Sequence, residues 1–590
     1  QLPALLEGRS QLRKITLVVS PLISLIRDQE EQMNQFANNS ALAFTSGIGT
    51  SEQARRWKLV RDRDSGVCII FVTPEKVFKS NKLRSELEKL NNQKRLGRFV
   101  IDECHCACQW GHDFRPDYTK LGILKQHFPH VPLIAVTATA SNRVREDCCR
   151  ILRLGTNYQF FRSSANRPNL KYSVKVKPEG QDKTIELMSK FIKEHHQNHP
   201  GIIYTFSRKD ANVVAEKLSQ LGIVARAYHS DVSDSAKENI HRSWMRNKTQ
   251  VVVATIAFGL GINKPDVRFV LHHTLSKSLE AYYQESGRAG RDGGPADCVL
   301  YYSVRDVSRM VGMIHGEASE PSFWSMVRYG QQHGDDSLCR RIILSILGEP
   351  GCENLNDILK GNSSSLTEER EVGQYAKDVV RLIQDLGKDS TLQQIVSEWR
   401  KRNAPDKYDI HPPGTDLNKE ECERLISALI LADVLHPNVV FTSYNTIVYI
   451  GLKDNAAKLL SSTNPKVKVC FPLRSEYTSV NSSSEKPSSI ESEGGWLSKK
   501  RTPKTAKKKR RKSTTTAGKL KCKRQNSKGK GKNATSQPEI IDISDDSDDE
   551  VIAKKRPSRS SSVIAMKKMR RSEKDDLFDD SSDSSENEFY

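Results

Sequence analysis

The chain has 590 residues, of which 93 are Lys or Arg and 72 are Asp or Glu, giving a formal net charge of +21. This length argues against a single domain, and the charge favours nucleic acid over an acidic membrane surface as the polyanionic partner. No apolar run approaches the roughly 20 residues that cross a bilayer, and no cationic, apolar leader opens the chain, so we predict an intracellular protein without a membrane partner. The twelve cysteines are scattered, which is typical of reduced thiols rather than of a disulfide framework.

Short β-branched runs alternate with helical stretches from Gln1 to about Leu300. The runs are ITLVVS, VCIIFVT, GRFVIDE and PLIAVTA, and then GIIYTFS, TQVVVAT and VRFVLHH. Continuous apolar strands separated by helices indicate parallel sheets that are covered on both faces. The two clusters predict two tandem α/β domains, with a boundary near Ser163 to Asn169, where SSANRPNL breaks the pattern.

An acidic pair, Asp102 and Glu103, ends the run GRFVIDE. This position is the carboxyl edge of a parallel sheet, where such folds bind ligands. In nucleotide hydrolysis one carboxylate can hold Mg²⁺ while its neighbour orients or activates water. An acidic pair after a strand is also often structural or solvated, so its role depends on the motifs that accompany it.

The segment YYQESGRAGRDG contains Gln284, Arg288 and Arg291 at spacings of four and three, which predicts that all three face one side of a helix. Two guanidiniums that project together match the charge that develops on a transferring phosphoryl group. The alternative is a solvated basic helix face. The acidic pair elsewhere in the chain favours the nucleotide site.

Further motifs occur in a fixed order: VVSPLISLIRDQ, FVTPEKV, TATA at Thr137 to Ala140, FSRKD and TIAFGLGINKPDVRFVLHH. This series resembles the ordered motifs of superfamily-two helicases, and DECH followed by QWGHDFRPDY is similar to the RecQ family specifically. The resemblance covers about residues 1–475. Within the family, the motif block most resembles the Bloom-type subgroup.

The resemblance implies an enzyme that uses ATP and Mg²⁺. Asp102 would hold Mg²⁺, and Glu103 would act on the attacking water. Arg288 and Arg291 would be arginine fingers that reach across the cleft between two RecA-like domains, and Gln284 would help to sense the nucleotide.

The resemblance also implies residues that couple the nucleotide site to DNA, namely His105 and the Thr137/Thr139 segment. The family's aromatic-rich coupling loop is matched by residues Gln109, Trp110, His112, Phe114 and Arg115. An aromatic ring can stack on an unpaired base and a guanidinium can pair with phosphate. Without the family, Trp110 and Phe114 would more often be core residues.

A Gly-rich turn in the second domain matches another family motif through Thr255, Gly259, Gly261 and Asp266. Glycine lets the backbone approach a ligand or DNA closely. The resemblance therefore implies that this turn contributes to nucleotide and DNA binding.

ATP hydrolysis by such an enzyme requires a phosphate cradle of the form GxxxxGK[ST]. The sequence does not contain this motif. The family places that loop before a helix ending in QLPALL, and Gln1 to Leu6 read QLPALL. We therefore expect truncation rather than evolved loss, an incomplete first domain, and poor ATP binding by the polypeptide as written. A DNA-binding scaffold without ATPase activity is the alternative, and an RNA helicase, disfavoured by QWGHDFRPDY, is a third.

The segment SLCRRIILSILGEPGCENLND resembles the family's zinc-binding subdomain. Cys339 and Cys352 match the first two zinc ligands, whereas Asn356 and Leu359 occupy the places of the last two. A structural Zn²⁺ site needs four N or S donors, so we expect a lost or incomplete site. A helical hairpin held by apolar packing is the alternative.

Residues from about Glu371 to Leu473 suggest three helices followed by two strands, VVFTS and TIVYIGL, which is the order of a winged helix. This region resembles the RecQ C-terminal DNA-binding domain, whose β-hairpin can wedge between the strands at a fork. Tyr444, near the predicted tip, would stack on the terminal base pair. Lys419, near the start of a helix, is a candidate phosphate contact.

The chain beyond about Arg474 is rich in Ser, Lys and acidic residues and is predicted to be disordered. The basic run from Lys499 to Lys512 fits nuclear import or phosphate contact. The segment EIIDISDDSDDE is similar to SUMO-interacting motifs through Ile540, Ile541 and Ile543.

These observations predict an α/β fold with five parts. The parts are an incomplete RecA-like domain at 1–160, a second RecA-like domain at 161–325, a degenerate zinc subdomain at 326–370, a winged helix at 371–475 and a disordered tail at 476–590. The predicted function is that of a nuclear ATP-dependent DNA helicase of 3′ to 5′ polarity, acting on forked or recombination intermediates in replication, recombination and repair. The polarity follows from the family resemblance alone.

Overall fold

The computed structural model describes most of residues 1–473, which belong to one contact unit, Gln1–Ile490. The gaps within that range are 109–113, 140, 257, 260–262, 317–319, 334, 353–357, 359–365, 388, 402–407, 409, 414–415 and 443–444. Among the described residues, no helix combines the length and apolarity needed to cross a bilayer.

The first sheet has five parallel strands in the order β2-β3-β1-β4-β5. The strands are β1 Ile15–Val19, β2 Ala41–Phe44, β3 Ile69–Val72, β4 Leu96–Ile101 and β5 Leu133–Ala135. The accompanying helices are α1 Leu2–Gly8, α2 Ile23–Phe36, α3 Thr50–Arg61, α4 Pro74–Lys79, α5 Asn81–Asn92, α6 Ile123–His127 and α7 Asn142–Ile151. Every residue of β1, β2 and β3 is buried, as expected for strands inside a parallel sheet. The side chains of Ser80 and Ser141 cap α5 and α7.

The second sheet has six parallel strands in the order β6-β11-β10-β7-β9-β8. The strands are β6 Leu170–Val176, β7 Gly201–Tyr204, β8 Ala225–Tyr228, β9 Val251–Ala254, β10 Phe269–His272 and β11 Ala296–Tyr302. The helices are α8 Gln181–His195, α9 Arg208–Gln220, α10 Asp234–Met245, α11 Leu279–Ser286, α12 Val304–Ile314, α13 Glu320–Gln331 and α14 Asp336–Ile346. Separate apolar clusters lie on the two faces of this sheet, so both faces are covered.

The predicted pair of tandem α/β domains with parallel sheets is confirmed, and all seven predicted strands form. Four strands were missed: β2, β6, β8 and β11. Only the first residue of β8 is buried along ARAY, and β6 alternates buried and less buried side chains along LKYSVKV. A search for long continuous apolar runs does not detect strands of these kinds.

The last part of the described chain contains two antiparallel strand pairs and four helices. Strand β12 Thr367–Glu371 pairs with β15 Lys468–Pro472, and β13 Leu435–Phe441 pairs with β14 Thr446–Leu452. The helices are α15 Gly373–Leu386, α16 Leu392–Trp399, α17 Lys419–Leu431 and α18 Asp454–Ser461. Capping boxes at Thr391 and Asn418 start α16 and α17. One apolar cluster runs from the second sheet into these elements.

The first predicted zinc ligand, Cys339, is fully buried within α14, where it lies near the hydroxyl group of Tyr329. Cys352 is partly buried, while Asn356 and Leu359 lie outside the described residues. In the part of the chain that the structure describes, no cluster of three or more His, Cys, Asp or Glu side chains is placed to hold a metal ion. The tail, with its basic run and Ile540, Ile541 and Ile543, also lies outside the described residues.

Candidate nucleotide site between the two α/β domains

The side chain of Asp102 follows directly after β4 and borders a cavity of about 250 Å³ on one face of the first sheet. The Ser20 hydroxyl and the Gln29 amide each donate to Asp102 Oδ2 across 3.4 Å, and the Glu103 N–H donates to Oδ1 across 3.0 Å. Burial raises the pKa of Asp102 despite these hydrogen bonds. The charge of this buried carboxylate is only weakly stabilised by long hydrogen bonds from neutral donors, so a bound cation would stabilise it further.

The backbone of Glu103 adopts the left-handed conformation, with φ of 48°, which turns the chain sharply after the strand. The Glu103 carboxylate lies 3.3 Å from His105 Nδ1, and the same nitrogen lies 2.8 Å from the Thr137 hydroxyl. Thr137 Oγ1 in turn accepts from the Thr139 N–H across 3.2 Å. The four predicted residues therefore form one continuous polar chain from the acidic pair to the segment after β5.

The predicted helical face of Gln284, Arg288 and Arg291 is wrong, because α11 ends at Ser286. Gln284 lies in its last turn, whereas the two arginines follow in a turn where Gly290 has a φ of 54°. The residue that directly follows the helix is Gly287, and glycine at position 290 tolerates the left-handed conformation of the turn. The arginines are thus positioned by a turn and not by helical periodicity.

Arg167 and Asn169, in the segment before β6, hold this turn in place. Arg167 donates to the carbonyls of Ala289 and Gly290 across 3.2 and 2.8 Å. The Asn169 amide donates to Gly290 O across 2.8 Å and also bonds Gly294 O. The segment that the sequence indicated only as a domain boundary is therefore part of the support for both arginines.

Arg288 is 5% exposed and donates to the carbonyl oxygen of Gly259, which brings the predicted Gly-rich turn into contact with it. Its buried Nε has no hydrogen-bond partner among the described residues. A Cβ added at Gly259 would lie 3.4 Å from Arg288 Nη2. Glycine at this position therefore leaves room for the guanidinium.

Arg291 is solvent-accessible but experiences the charges of groups from both domains. Desolvation and the nearby Arg288 and Arg167 lower its pKa, while the negative charge of Glu103 acts in the opposite direction. The acidic pair of the first domain and the guanidiniums of the second therefore share one region of the molecule.

These side chains fit a magnesium nucleotide. A buried guanidinium N–H without a partner, in a cluster of three positive charges, suits a phosphate oxygen. Asp102, whose pKa is raised by burial, suits a divalent cation with oxygen ligands.

Two helicase families match this chain, DEAD/DEAH box helicase over residues 1–147 and Helicase conserved C-terminal domain over residues 183–293. The chain is 38% identical over 467 residues to the ATP-dependent DNA helicase Q1 of Pongo abelii, a match that covers 77% of this chain and 70% of that protein. This chain belongs to the RecQ family of DNA helicases. It is also 41% identical to the ATP-dependent DNA helicase Q-like 2 of Arabidopsis thaliana, over 78% of this chain and 64% of that protein. The RecQ-like DNA helicase BLM of Xenopus laevis is 36% identical over 79% of this chain and 36% of its own length. The matches thus cover between about a third and 70% of the lengths of these RecQ relatives.

The remaining predicted RecQ site residues have varied surroundings. Thr255 directly follows β9, close to the turn that contains Gly259. The Asp266 carboxylate lies 3.0 Å from Lys264 Nζ, so it is engaged within the protein. Lys419 is the first residue of α17, which precedes the hairpin, and its Nζ lies 2.8 Å from a Glu179 carboxylate oxygen. The phosphate contact predicted for Lys419 would have to compete with that ion pair.

Only the end of the predicted coupling loop lies among the described residues. Phe114 is 36% exposed, and Arg115 donates to the Pro21 carbonyl across 2.8 Å, which ties the loop to the segment after β1. The predicted residues Gln109, Trp110, His112, Gly261 and Tyr444 lie outside the described residues.

Sequence reasoning missed several residues that support the RecQ site. Ser20 and Gln29 contact Asp102 from VVSPLISLIRDQ, and Tyr118 donates to the Asp102 carbonyl across 3.0 Å. The motif VVSPLISLIRDQ was recognised, but no individual role within it followed from spacing. Phe441, at the end of β13, is 65% exposed and was also missed.

Proposed function

We propose that this RecQ chain forms the ATP-dependent motor and duplex-separating module of a DNA helicase with 3′ to 5′ polarity. The observation that carries the proposal is that the negative charge of Glu103 in the first domain acts on the guanidinium of Arg291 in the second. A nucleotide bound between them would contact both domains, so hydrolysis would change how strongly the domains are held together.

The proposed role of each residue follows from its surroundings. Asp102 would hold Mg²⁺, which when bound neutralises charge on the phosphates. Glu103, held by His105, orients the attacking water and accepts its proton. Arg288 and Arg291 stabilise the negative charge that develops on the transferred phosphoryl group. His105 also contacts Thr137, so a change at Glu103 reaches the segment after β5.

We further propose that residues 371–475 form a winged-helix domain that binds the DNA fork. Support comes from the three helices followed by the β13–β14 hairpin, and from a bridge between Thr391 and Tyr449 that adds a third extended segment. The hairpin presents the exposed ring of Phe441 at its end, close in sequence to Tyr444. An exposed ring at this place can stack on an unpaired base.

Other parts of the proposal rest on sequence alone. They are the polarity, the forked or recombination intermediates as substrates, the nuclear location with roles in replication, recombination and repair, and the binding of SUMO through Ile540, Ile541 and Ile543. A zinc site at Cys339 and Cys352 is not part of the proposed mechanism.

Because the polypeptide as written lacks the phosphate cradle, the test uses an extended chain that carries a GxxxxGK[ST] loop upstream of Gln1. It compares phosphate release from ATP, with and without forked DNA, between this extended chain and its Glu103→Gln variant. We expect DNA-stimulated hydrolysis that falls by about 10²-fold or more in the variant, because general base catalysis contributes about that much. Glu146→Gln is the matched control, since Glu146 lies in the same domain with a side chain that is 71% exposed. DNA affinity, measured by fluorescence anisotropy, should be equal in all three proteins.

Three results would overturn the proposal. Equal hydrolysis by the chain and by Glu103→Gln would remove the role of Glu103. DNA binding without any hydrolysis by the extended chain would favour the scaffold alternative. A matched RNA fork that stimulates hydrolysis better than the DNA fork would favour an RNA helicase.

A further inference from the structure

A buried carboxylate lies in the last turn of α11, directly before the turn that carries Arg288 and Arg291. Glu285 is 9% exposed and has no part in the chemistry proposed above. Its Oε2 atom accepts from the Ser276 hydroxyl across 2.6 Å and lies 2.9 Å from His272 Nε2. Two groups therefore converge on one carboxylate oxygen, and these three side chains form the Glu285 cluster.

The two partners of Glu285 come from the carboxyl end of β10, a strand in the interior of the second sheet. His272 is the last residue of this strand, and Ser276 lies in the connection to α11. His272 Nδ1 is buried and has no hydrogen-bond partner among the described residues, so a neutral ring would carry its proton on Nε2 and donate it to Glu285. The cluster thus ties the end of β10 to the end of α11.

The turn of the two arginines hangs from this end of α11. The Arg288 N–H donates to the carbonyl oxygen of Glu285 across 3.4 Å, and the Ala289 N–H donates to Ser286 O across 3.0 Å. The backbone that carries Arg288 is therefore bonded to the residue whose side chain the cluster holds. A displacement of Glu285 would be passed on to the guanidinium.

Tyr204 connects the same cluster to the Gly-rich turn. Its ring is stacked on that of His272, with centroids 5.2 Å apart and planes inclined by 24°, and its hydroxyl donates to Phe258 O across 2.8 Å. Phe258 directly precedes Gly259, whose carbonyl accepts from Arg288. The two turns are thus bonded to each other and to one buried cluster.

We propose that Glu285, held by Ser276 and His272, is a positioning residue that fixes Arg288 and Arg291 next to the Gly-rich turn. Groups that stabilise a developing charge must be held within a fraction of an ångström, and buried hydrogen bonds behind them supply this precision. The catalytic consequence rests on the proposed function, whereas the structural consequence does not. Loss of the cluster leaves both guanidiniums in the protein but misplaced.

Hydrogen exchange of the full chain, followed by mass spectrometry, tests the positioning without any nucleotide. In Glu285→Ala the amides of residues 288–290 should exchange roughly 10- to 100-fold faster, because buried hydrogen bonds are lost. Glu285→Gln should restore most of the protection, since one amide oxygen can accept from both Ser276 and His272. Circular dichroism establishes which variants are folded.

Ser276→Ala and Ser278→Ala form a matched pair. Both serines are buried and lie two residues apart, but the Ser278 hydroxyl accepts from the Ala281 N–H at the start of α11, across 3.1 Å. Ser276→Ala should speed the exchange of 288–290, by less than Glu285→Ala because only one bond is lost. Ser278→Ala should leave these amides unchanged. If Glu285→Ala does not fold, this pair decides the inference.

ATP hydrolysis by the extended chain tests the catalytic consequence. In Glu285→Ala kcat should fall with KM little changed, because the guanidiniums act on charge that develops only in the transition state. Glu285→Gln should recover most of kcat, and Ser278→Ala should retain the wild-type values of kcat and KM.

Unchanged exchange of 288–290 in both Glu285→Ala and Ser276→Ala would overturn the inference, as would equal effects of Ser276→Ala and Ser278→Ala. Faster exchange of all strands of the second sheet would also overturn it, because the cluster would then act on the whole domain. An extended wild-type chain that does not hydrolyse ATP would defeat the proposed function instead, and the exchange of 288–290 would still decide this inference.

Discussion

Replacing Arg167 by Ala tests whether the turn of Arg288 and Arg291 depends on the segment before β6. Arg167 makes two well-formed hydrogen bonds to this turn, at 2.8 Å to Gly290 O and 3.2 Å to Ala289 O, and a third contact of 3.5 Å to Gly287 O. Its side chain is partly buried. Loss of the guanidinium leaves these carbonyls to water or to no partner at all.

The magnitude follows from these contacts. A hydrogen bond from a charged donor contributes about 1.5–3 kcal/mol, and partial replacement by water reduces the sum for the two good bonds to about 2–3 kcal/mol. Local opening of the turn should therefore become roughly 30- to 150-fold more frequent. Amide hydrogen exchange of Gly290, which donates to Val267 O, and of Gly293, which donates to Gly290 O, reports this directly. Arg167→Lys should recover only part of the protection, because one ammonium cannot reproduce the planar fork of donors.

Arg162→Ala is the control, because Arg162 lies in the same segment but donates to Leu347 O across 3.0 Å. It should leave the exchange of 287–293 unchanged. Unchanged protection of these amides in Arg167→Ala would refute the argument, as would an equal increase in the Arg162→Ala control. A uniform increase across the second sheet would mean that Arg167 stabilises the domain as a whole.

Three further predictions concern stability, each measured by urea unfolding. Hydrogen bonds from Arg61 lower the pKa of Glu86 to about 2 in the folded protein, which is below its value in the unfolded chain. The ionised carboxylate therefore stabilises the fold above about pH 5. Glu86→Gln should lower the free energy of unfolding by about 1–2 kcal/mol at pH 6, and this difference should disappear as the pH falls towards 2. An equal cost at both pH values would contradict the role of charge. Gly201→Ala would place a Cβ 2.1 Å from the ring of Phe269, so it should cost about 1–3 kcal/mol or more through overpacking; a neutral result would mean that the strand can shift without cost. Trp244 is fully buried with its ring 5.4 Å from that of Phe258, so Trp244→Ala should cost about 3–5 kcal/mol, and a loss below 1 kcal/mol would show that the site collapses around the smaller residue.

The sequence was sufficient to predict the two parallel sheets and the acidic pair, because both depend on local patterns. Long β-branched runs form strands wherever they can be buried, and Asp102 follows one of them directly. The assignment of Arg288 and Arg291 to a helix failed because a spacing of three or four is compatible with a helix but does not require one. The helix ends at Ser286, directly before Gly287, and Gly290 in the following turn has a left-handed backbone.

Contacts between residues distant in sequence could not be predicted from periodicity. Arg167 bonds carbonyls more than 120 residues away, and Gln29 reaches Asp102 across 73 residues. No spacing rule relates these positions. The left-handed backbone conformation of Glu103 could not be predicted from the sequence either, because a non-glycine residue adopts it only where the surrounding structure imposes it.

Helix α12 packs on β13, β14 and α17, and its apolar side chains belong to the same cluster as those of the second sheet. The hairpin that ends at Phe441 is therefore seated on the domain that carries Arg288 and Arg291. A cluster packed at the density of a protein interior transmits displacement with little compression. In any rotation of that domain relative to the first, the hairpin would therefore move together with the guanidiniums.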